Sequence, residues 1–192
     1  MRHVNIVTAL LKAKKAVQTV FTLNEMRQLL SISPSQLQDA LYYVVKKKDI
    51  FRIMQGTYTF TKDYSREEFA NKFRIPSYIS LYTILQKEGI VFQPYTSLFA
   101  ITNRSETLTV DAQTYIYRKI KDAYLLNSLG IELIEGVYMA TPERALCDTI
   151  YLDGVQHFDN LRSINWSLMS ELNEQVYKNN TIAEFIKSYI TP

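Results

Sequence analysis

The chain has 192 residues, 47% of them hydrophobic, with five glycines and five prolines, which allows one medium domain or two small ones and excludes a disordered, collagen-like or low-complexity chain. Its net charge of +3 hides an asymmetry: residues 1–62 hold ten Lys/Arg against three acids, a net +7, while residues 63–192 hold twelve against sixteen, a net −4. A basic module followed by an acidic one suggests two jobs, and a basic lobe suits a polyanion such as DNA.

The N-terminus, Met1-Arg2-His3-Val4-Asn5, lacks the apolar stretch and small-residue cleavage site of a signal peptide. No apolar run approaches the roughly 20 residues needed to cross a bilayer, so no membrane partner is expected. Residues 4–20 read as a first helix, with Val4, Val7, Leu10, Leu11 and Val17 as an apolar stripe at helical spacing.

The next two helices carry the same start signal. In Phe21-Thr22-Leu23-Asn24-Glu25-Met26, Thr22 is an N-cap and Glu25, three residues on, can complete a capping box, with Phe21 and Met26 as the hydrophobic staple. This helix runs through Leu29 and Leu30. Ile32-Ser33-Pro34-Ser35-Gln36-Leu37 repeats the logic: Ser33 caps, Pro34 takes the first helical position, Gln36 closes the box, and Ile32 and Leu37 form the staple. Only residues 31–33 separate the two helices, the length of a helix-turn-helix turn.

The third helix, from Pro34 to about Lys48, buries Leu37, Ala40, Leu41, Val44 and Val45. Its opposite face holds Ser35, Asp39, Tyr42 and Lys46, flanked by Gln36, Gln38 and Tyr43. That face is short and polar at its start, aromatic in the middle and basic at its end. Short hydrogen-bonding side chains near a helix N-terminus can reach base edges, and lysines further along can meet phosphates. The lysine run 46–48 equally suits a solvated helix end, where cations complement the dipole.

Residues 50–54 and 57–61 are β-rich and flank the two-residue turn Gln55-Gly56. Three helices and a hairpin are the order of a winged helix-turn-helix, expected over residues 1–62. The expected DNA contacts are Ser35, Gln36, Gln38, Asp39, Tyr42, Tyr43, Lys46, Lys47, Arg52 and Gln55. Ser35, Gln36 and Gln38 are base readers; the lysines and Arg52 meet phosphates. Asp39 fits only where it accepts from a cytosine amine. The alternative is a winged helix that binds protein.

Residues 63–75 are polar and mixed in charge and read as a connector or short helix, ended by Pro76. Residues 76–192 read as a second, mixed α/β domain, so the chain as a whole is α+β. A helix is expected over residues 77–89, stopped by Gly89 and capped by Ser77. Strands follow at 98–102 and 107–110 around an Asn103-Arg104-Ser105 turn, at 114–120, and as one or two more over 131–140. Thr141 caps the next helix, with Pro142 and Glu143 in its first turn. From Phe158 to Ile190 the chain reads as two or three helical pieces, the last capped by Thr181 with Glu184 three residues on.

Several segments resemble the AbiEi family, the antitoxins of type IV toxin–antitoxin systems. They are Ile75-Pro76-Ser77-Tyr78-Ile79-Ser80-Leu81, Gly89-Ile90, Ala100-Ile101-Thr102, Gly136-Val137-Tyr138 and Ala140-Thr141-Pro142-Glu143-Arg144-Ala145-Leu146-Cys147-Asp148. The resemblance covers roughly residues 5–155. It implies an N-terminal winged helix that represses its own operon by binding inverted repeats in the promoter. It also implies a functional pairing with a nucleotidyltransferase-type toxin, which a type IV antitoxin need not bind directly.

Other candidates weigh less. Thr141-Pro142-Glu143-Arg144 could be a functional surface but reads as a capped helix start. Tyr78 and Ser80 could bind an anion. Tyr115, Tyr117 and Tyr124 beside Arg118, Lys119 and Lys121 could stack on single-stranded nucleic acid, or simply occupy an ordinary strand. A restriction-type nuclease needs a Glu-x-Lys strand, which Glu132-Leu133-Ile134 and Glu135-Gly136-Val137 lack. His3 and His157 have no metal-ligand spacing with Cys147, and no Gly-rich phosphate loop is present. No catalytic residue, metal or cofactor is expected, and the protein reads as a non-enzyme. One cysteine, Cys147, leaves no internal disulfide, so the expected compartment is a reducing cytoplasm.

Overall fold

The computed structural model of the chain describes residues 2–190. Met1, Thr191 and Pro192, the outer ends of the two expected domains, lie outside the described residues. The protein is α+β, and it divides between Phe73 and Arg74 into two compact units. No helix of the described residues is long and apolar enough to cross a membrane.

The first unit opens with α1 (Arg2–Lys14). The helix ends well before the expected residue 20, and Val17, expected in its stripe, is exposed. The chain instead makes a strand, β1 (Val20–Thr22), which pairs antiparallel with a later strand. The β-branched and aromatic run Val20-Phe21-Thr22 takes the conformation that its partner rewards. In α2 (Leu23–Leu29), Thr22 Oγ1 accepts from Glu25 N at 3.1 Å. The expected capping box is half made, because the Glu25 carboxylate takes bonds from Gln18 Nε2 (2.9 Å) and Lys72 Nζ (3.4 Å).

In α3 (Pro34–Lys46) the box is complete. Gln36 N donates to Ser33 Oγ at 3.3 Å and Ser33 N donates to Gln36 Oε1 at 3.0 Å. The helix stops two residues short of the expected Lys48, which adopts φ 62 and turns the chain toward the hairpin. Strands β2 (Phe51–Met54) and β3 (Thr57–Thr59) join through Gln55-Gly56, with Gly56 at φ 79, a conformation glycine adopts without steric cost. The sheet order is β1-β3-β2, so the hairpin's second strand is central. Val7 and Leu11 of α1, Met26 of α2 and Leu37, Ala40, Leu41 and Val44 of α3 share one core with Phe21 and Ile50. Val45, expected inside, is only partly buried.

The segment read as a connector ends in α4 (Arg66–Phe73), which is tied into this first unit. Glu68 Oε2 accepts from Thr19 N and Thr19 Oγ1 at 2.7 and 2.6 Å, and Lys72 Nζ donates to the Val20 carbonyl at 2.6 Å. Burial pushes the Glu68 carboxyl up, but the Thr19 hydrogen bonds and Lys72 outweigh it and hold it below its ordinary value.

The second unit is built on a six-stranded mixed sheet. Its strands are β4 (Ser77–Ile79), β5 (Leu98–Thr102), β6 (Glu106–Val110), β7 (Gln113–Lys119), β8 (Ile131–Ile134) and β9 (Val137–Ala140). Their spatial order is β6-β7-β5-β4-β9-β8; β5–β7 and β4–β9 run parallel and the other pairs antiparallel. Central β5 is buried at every position, as a strand covered on both faces must be. The expected helix over residues 77–89 is a strand first and then α5 (Tyr82–Lys87), with Leu81 at φ 55 at the corner. Ser77 is therefore no cap; its hydroxyl donates to the Arg74 carbonyl.

After the short α6 (Asp122–Leu125), Thr141 caps α7 (Pro142–Asp153), and Gly154 at φ 77 ends it. Then come α8 (Trp166–Leu172), a π-helical turn (Asn173–Tyr177) and α9 (Asn180–Ile190). Asn179, not Thr181, caps α9: its Oδ1 accepts from Ile182 N at 3.1 Å.

Candidate nucleic-acid interface

The capping box and Pro34 start α3, and burial of Leu37, Leu41 and Val44 orients it. What remains outward is decided by the helical repeat. Ser35, Gln38, Asp39, Tyr42, Tyr43, Lys46 and Lys47 are all exposed. Tyr42 and Tyr43 are 64% and 54% exposed, unusual for large aromatic side chains. Their rings meet edge to face at 5.8 Å, and the Lys46 ammonium lies 5.9 Å from the Tyr42 ring centre. Lys47 is the C-cap residue.

The hairpin supplies the opposite wall. Gln38 and Tyr42 of α3 face Arg52, Gln55 and Tyr58 across a groove of about 310 Å³. Arg52 Nε makes one long contact, 3.4 Å, to the Met54 carbonyl. Among the described residues no carboxylate pairs with Lys46, Lys47 or Arg52. These cations keep their charge directed at solvent, as phosphate binding requires.

Two expected base readers are placed differently from the rest. The Gln36 carbonyl oxygen is engaged in the capping box, leaving only its NH₂ group to donate. Ser35 Oγ lies 3.0 Å from Ser33 Oγ, within the same cap. Asp39 and Tyr43 are exposed but do not line the groove. Sequence reasoning missed the apolar wall of that groove, Leu23 and Tyr58. The alternation in residues 57–61 signals a strand there, but nothing local says that Tyr58 faces α3.

The second unit gathers segments that are far apart in sequence around one buried carboxylate, Asp148. Its oxygens accept from Tyr78 Oη at 3.0 and 3.1 Å, Ser80 Oγ at 2.7 Å and Tyr177 Oη at 2.5 Å. Arg144, one helical turn earlier, is also fully buried. Its guanidinium donates to the carbonyls of Leu129 (2.8 Å) and Tyr124 (2.6 Å) and to Tyr78 Oη (3.2 Å), and its Nε lies 3.8 Å from Asp148 Oδ1. Burial pushes the Asp148 carboxyl above its ordinary value, and Arg144 and the three hydroxyls offset only part of that rise. Burial likewise pushes the Tyr78 and Tyr177 hydroxyls and the Cys147 thiol well above their ordinary values.

This arrangement decides several of the lesser candidates. Tyr78 on β4 and Ser80 just after it spend their hydroxyls on Asp148, so they offer no anion site. Arg144 is fully buried, Glu143 is buried with its carboxylate taken by Asn165 N, and Thr141 Oγ1 accepts from Arg144 N, so these residues read as a capped helix start. Tyr115 and Tyr117 point into the core, and Arg118 pairs with Asp153 at 2.7 Å, so that strand presents no stacking platform. Among the described residues no group of three or more His, Cys, Asp or Glu is placed to hold a metal ion.

The chain matches no family model and no curated protein sequence.

Proposed function

We propose that the first unit is a winged helix-turn-helix that binds double-stranded DNA, and that the protein is a cytoplasmic transcriptional regulator of the AbiEi kind, an autorepressor and antitoxin. The carrying observation is the exposed face of α3, where Gln38 and Tyr42 look across a groove at Arg52 and Gln55 of the hairpin and Lys46 is exposed one turn beyond Tyr42. With α3 in the major groove, Gln38 is suited to an adenine edge and Asp39 to a cytosine amine. Lys46, Lys47 and Arg52 meet phosphates on either side. The element order helix, strand, two helices and hairpin supports the winged-helix assignment.

The AbiEi part of this proposal rests on the segments quoted above. It adds an operator of inverted repeats in the protein's own promoter and a nucleotidyltransferase-type toxin on the same transcript.

The test is fluorescence anisotropy with a duplex carrying that promoter, against random duplex, across a salt series. The promoter is expected to outcompete random DNA. The Lys46→Ala/Lys47→Ala variant should lose about one to two phosphate contacts from the salt slope. Absence of duplex binding even at low salt sinks the proposal. The exposed Tyr42 and Tyr43 favour the second reading, a winged helix that binds protein, since interface cores are rich in tyrosine. That reading predicts no duplex binding in the same titration.

A further inference from the structure

The last strand of the second unit's sheet, β8, has β9 as its one strand neighbour among the described residues. Folded proteins guard such edges, because unpaired backbone groups there are a template for another chain. This edge is apolar. Leu133 is 61% exposed, Ile134 42%, and Tyr138, opposite Leu133 on β9, 53%. The hairpin is also tightly set: its turn residues Glu135 and Gly136 both have positive φ, 49 and 81, the two-residue turn whose twist matches the strands.

Beside the strand opens a groove of about 330 Å³. Ile134 and Met139 of the hairpin form one wall, Ile84 and Leu168 line it from α5 and α8, and Lys87, Glu88 and Glu132 sit at its polar rim. Glu143 also lines it, but its Oε1 already accepts from Asn165 N at 2.9 Å. Glu88, Glu132 and Glu135 are exposed and pair with no cation among the described residues. The edge thus combines apolar side chains, a groove and an excess of negative charge.

We infer that β8 takes up an extended, basic segment of another protein as an added strand. Main-chain bonds to β8 supply affinity, and alternate side chains supply selectivity. An aliphatic side chain of the segment enters the groove over Met139 and Leu168, and its lysines or arginines meet Glu88, Glu132 and Glu135. Four residues of β8 span about 13 Å, so a segment of about four to six residues suffices. A second copy fits worse. Antiparallel pairing of two β8 strands gathers both Glu132 and both Glu135 side chains along one ladder with no cation between them.

The experiment is selection of a displayed twelve-residue peptide library on the full-length protein, followed by titration of the resynthesised winners. Enriched peptides should carry a Val, Ile or Leu and a Lys or Arg two positions apart, both on the groove face, and should slow amide exchange in residues 131–134. Glu132→Lys/Glu135→Lys should weaken them about tenfold or more and bind their acidic counterparts instead. Ile134→Lys, at an exposed site, should do the same to the aliphatic contact. The inference is overturned if no peptide is enriched, if the winners bind both variants undiminished, or if the protein is a dimer that the charge reversal dissociates.

Discussion

Ser80 Oγ donates a 2.7 Å hydrogen bond to Asp148 Oδ2, joining the residue that follows strand β4 to helix α7 across 68 residues of sequence. Tyr78 joins the same carboxylate from β4, and Tyr177 joins it from the π-helical turn between α8 and α9. A fully buried charge is tolerable only when it is paired and hydrogen-bonded. Asp148 meets that condition through segments contributed by three regions of the second unit.

Removing one member should therefore cost more than the bond it makes. Asp148→Ala leaves Arg144 buried without its counter-charge, and should destabilise the second unit by about 3–5 kcal/mol. Tyr177→Phe removes one hydroxyl and should cost about 1–3 kcal/mol. Urea unfolding followed by circular dichroism measures both. Equal losses in the two variants would mean that Asp148 does not carry the charge assigned to it.

Acid should weaken the first unit through Glu68. Its carboxyl lies below the ordinary 4.5 in the folded protein, so the folded state binds its proton less readily than the unfolded chain. The stabilisation is therefore complete above about pH 4.5 and is lost as pH falls through the lower folded value. The stability gap between wild type and Glu68→Gln should be widest near neutrality and close as the solution is acidified. A gap that widens on acidification would reverse the sign.

Gln36 and Gln38 should separate cleanly. Gln36→Ala breaks the reciprocal half of the α3 box and should lower stability by about 0.5–1 kcal/mol with little change in base preference. Gln38→Ala should leave stability within about 0.5 kcal/mol and, if α3 reads DNA, cost about 1–3 kcal/mol of discrimination at one base pair. Melting curves and competition binding with single-base operator variants give the two readouts. A preference lost on Gln36→Ala instead would return that residue to base reading.

Gly130 should tolerate no side chain. It sits at φ 70, and a Cβ there would stand 3.0 Å from Arg144 Cβ and 3.3 Å from Leu172 Cδ2. Gly130→Ala should cost about 2–4 kcal/mol, from backbone strain and overpacking together. Gly136 is the control. Its φ is similar, 81, but nothing lies within 4 Å of an added Cβ, so Gly136→Ala should cost only about 1–2 kcal/mol. Thermal unfolding of the pair tests the difference.

Signals that act within three or four residues were legible from sequence. Ser33, Pro34 and Gln36 announce α3, Thr141 and Pro142 announce α7, and Gln55-Gly56 and Asn103-Arg104-Ser105 mark turns where they occur. Each depends on a side chain reaching its own backbone or on a local dihedral preference, so tertiary context had little to override. The exposed face of α3 was legible for the same reason: once the helix exists, its 3.6-residue repeat separates Leu37, Leu41 and Val44 from Gln38, Tyr42 and Lys46.

Tertiary structure alone decided the rest. Val20-Phe21-Thr22 and Ser77-Tyr78-Ile79 are short runs whose period cannot distinguish strand from helix. They are strands because β3 lies beside the first, and β5 and β9 flank the second, to accept their backbone groups. Residues 66–73 read as polar linker because their anchors, Thr19 and Val20, lie near the other end of the unit's sequence. Gln36 was ambiguous between base reader and cap, and the carbonyl it offers Ser33 N settles its oxygen's role. Asp148 looked like one more polar residue on a helix. Its hydroxyl partners Tyr78, Ser80 and Tyr177 come from distant segments, and only the folded chain makes a buried carboxylate out of them.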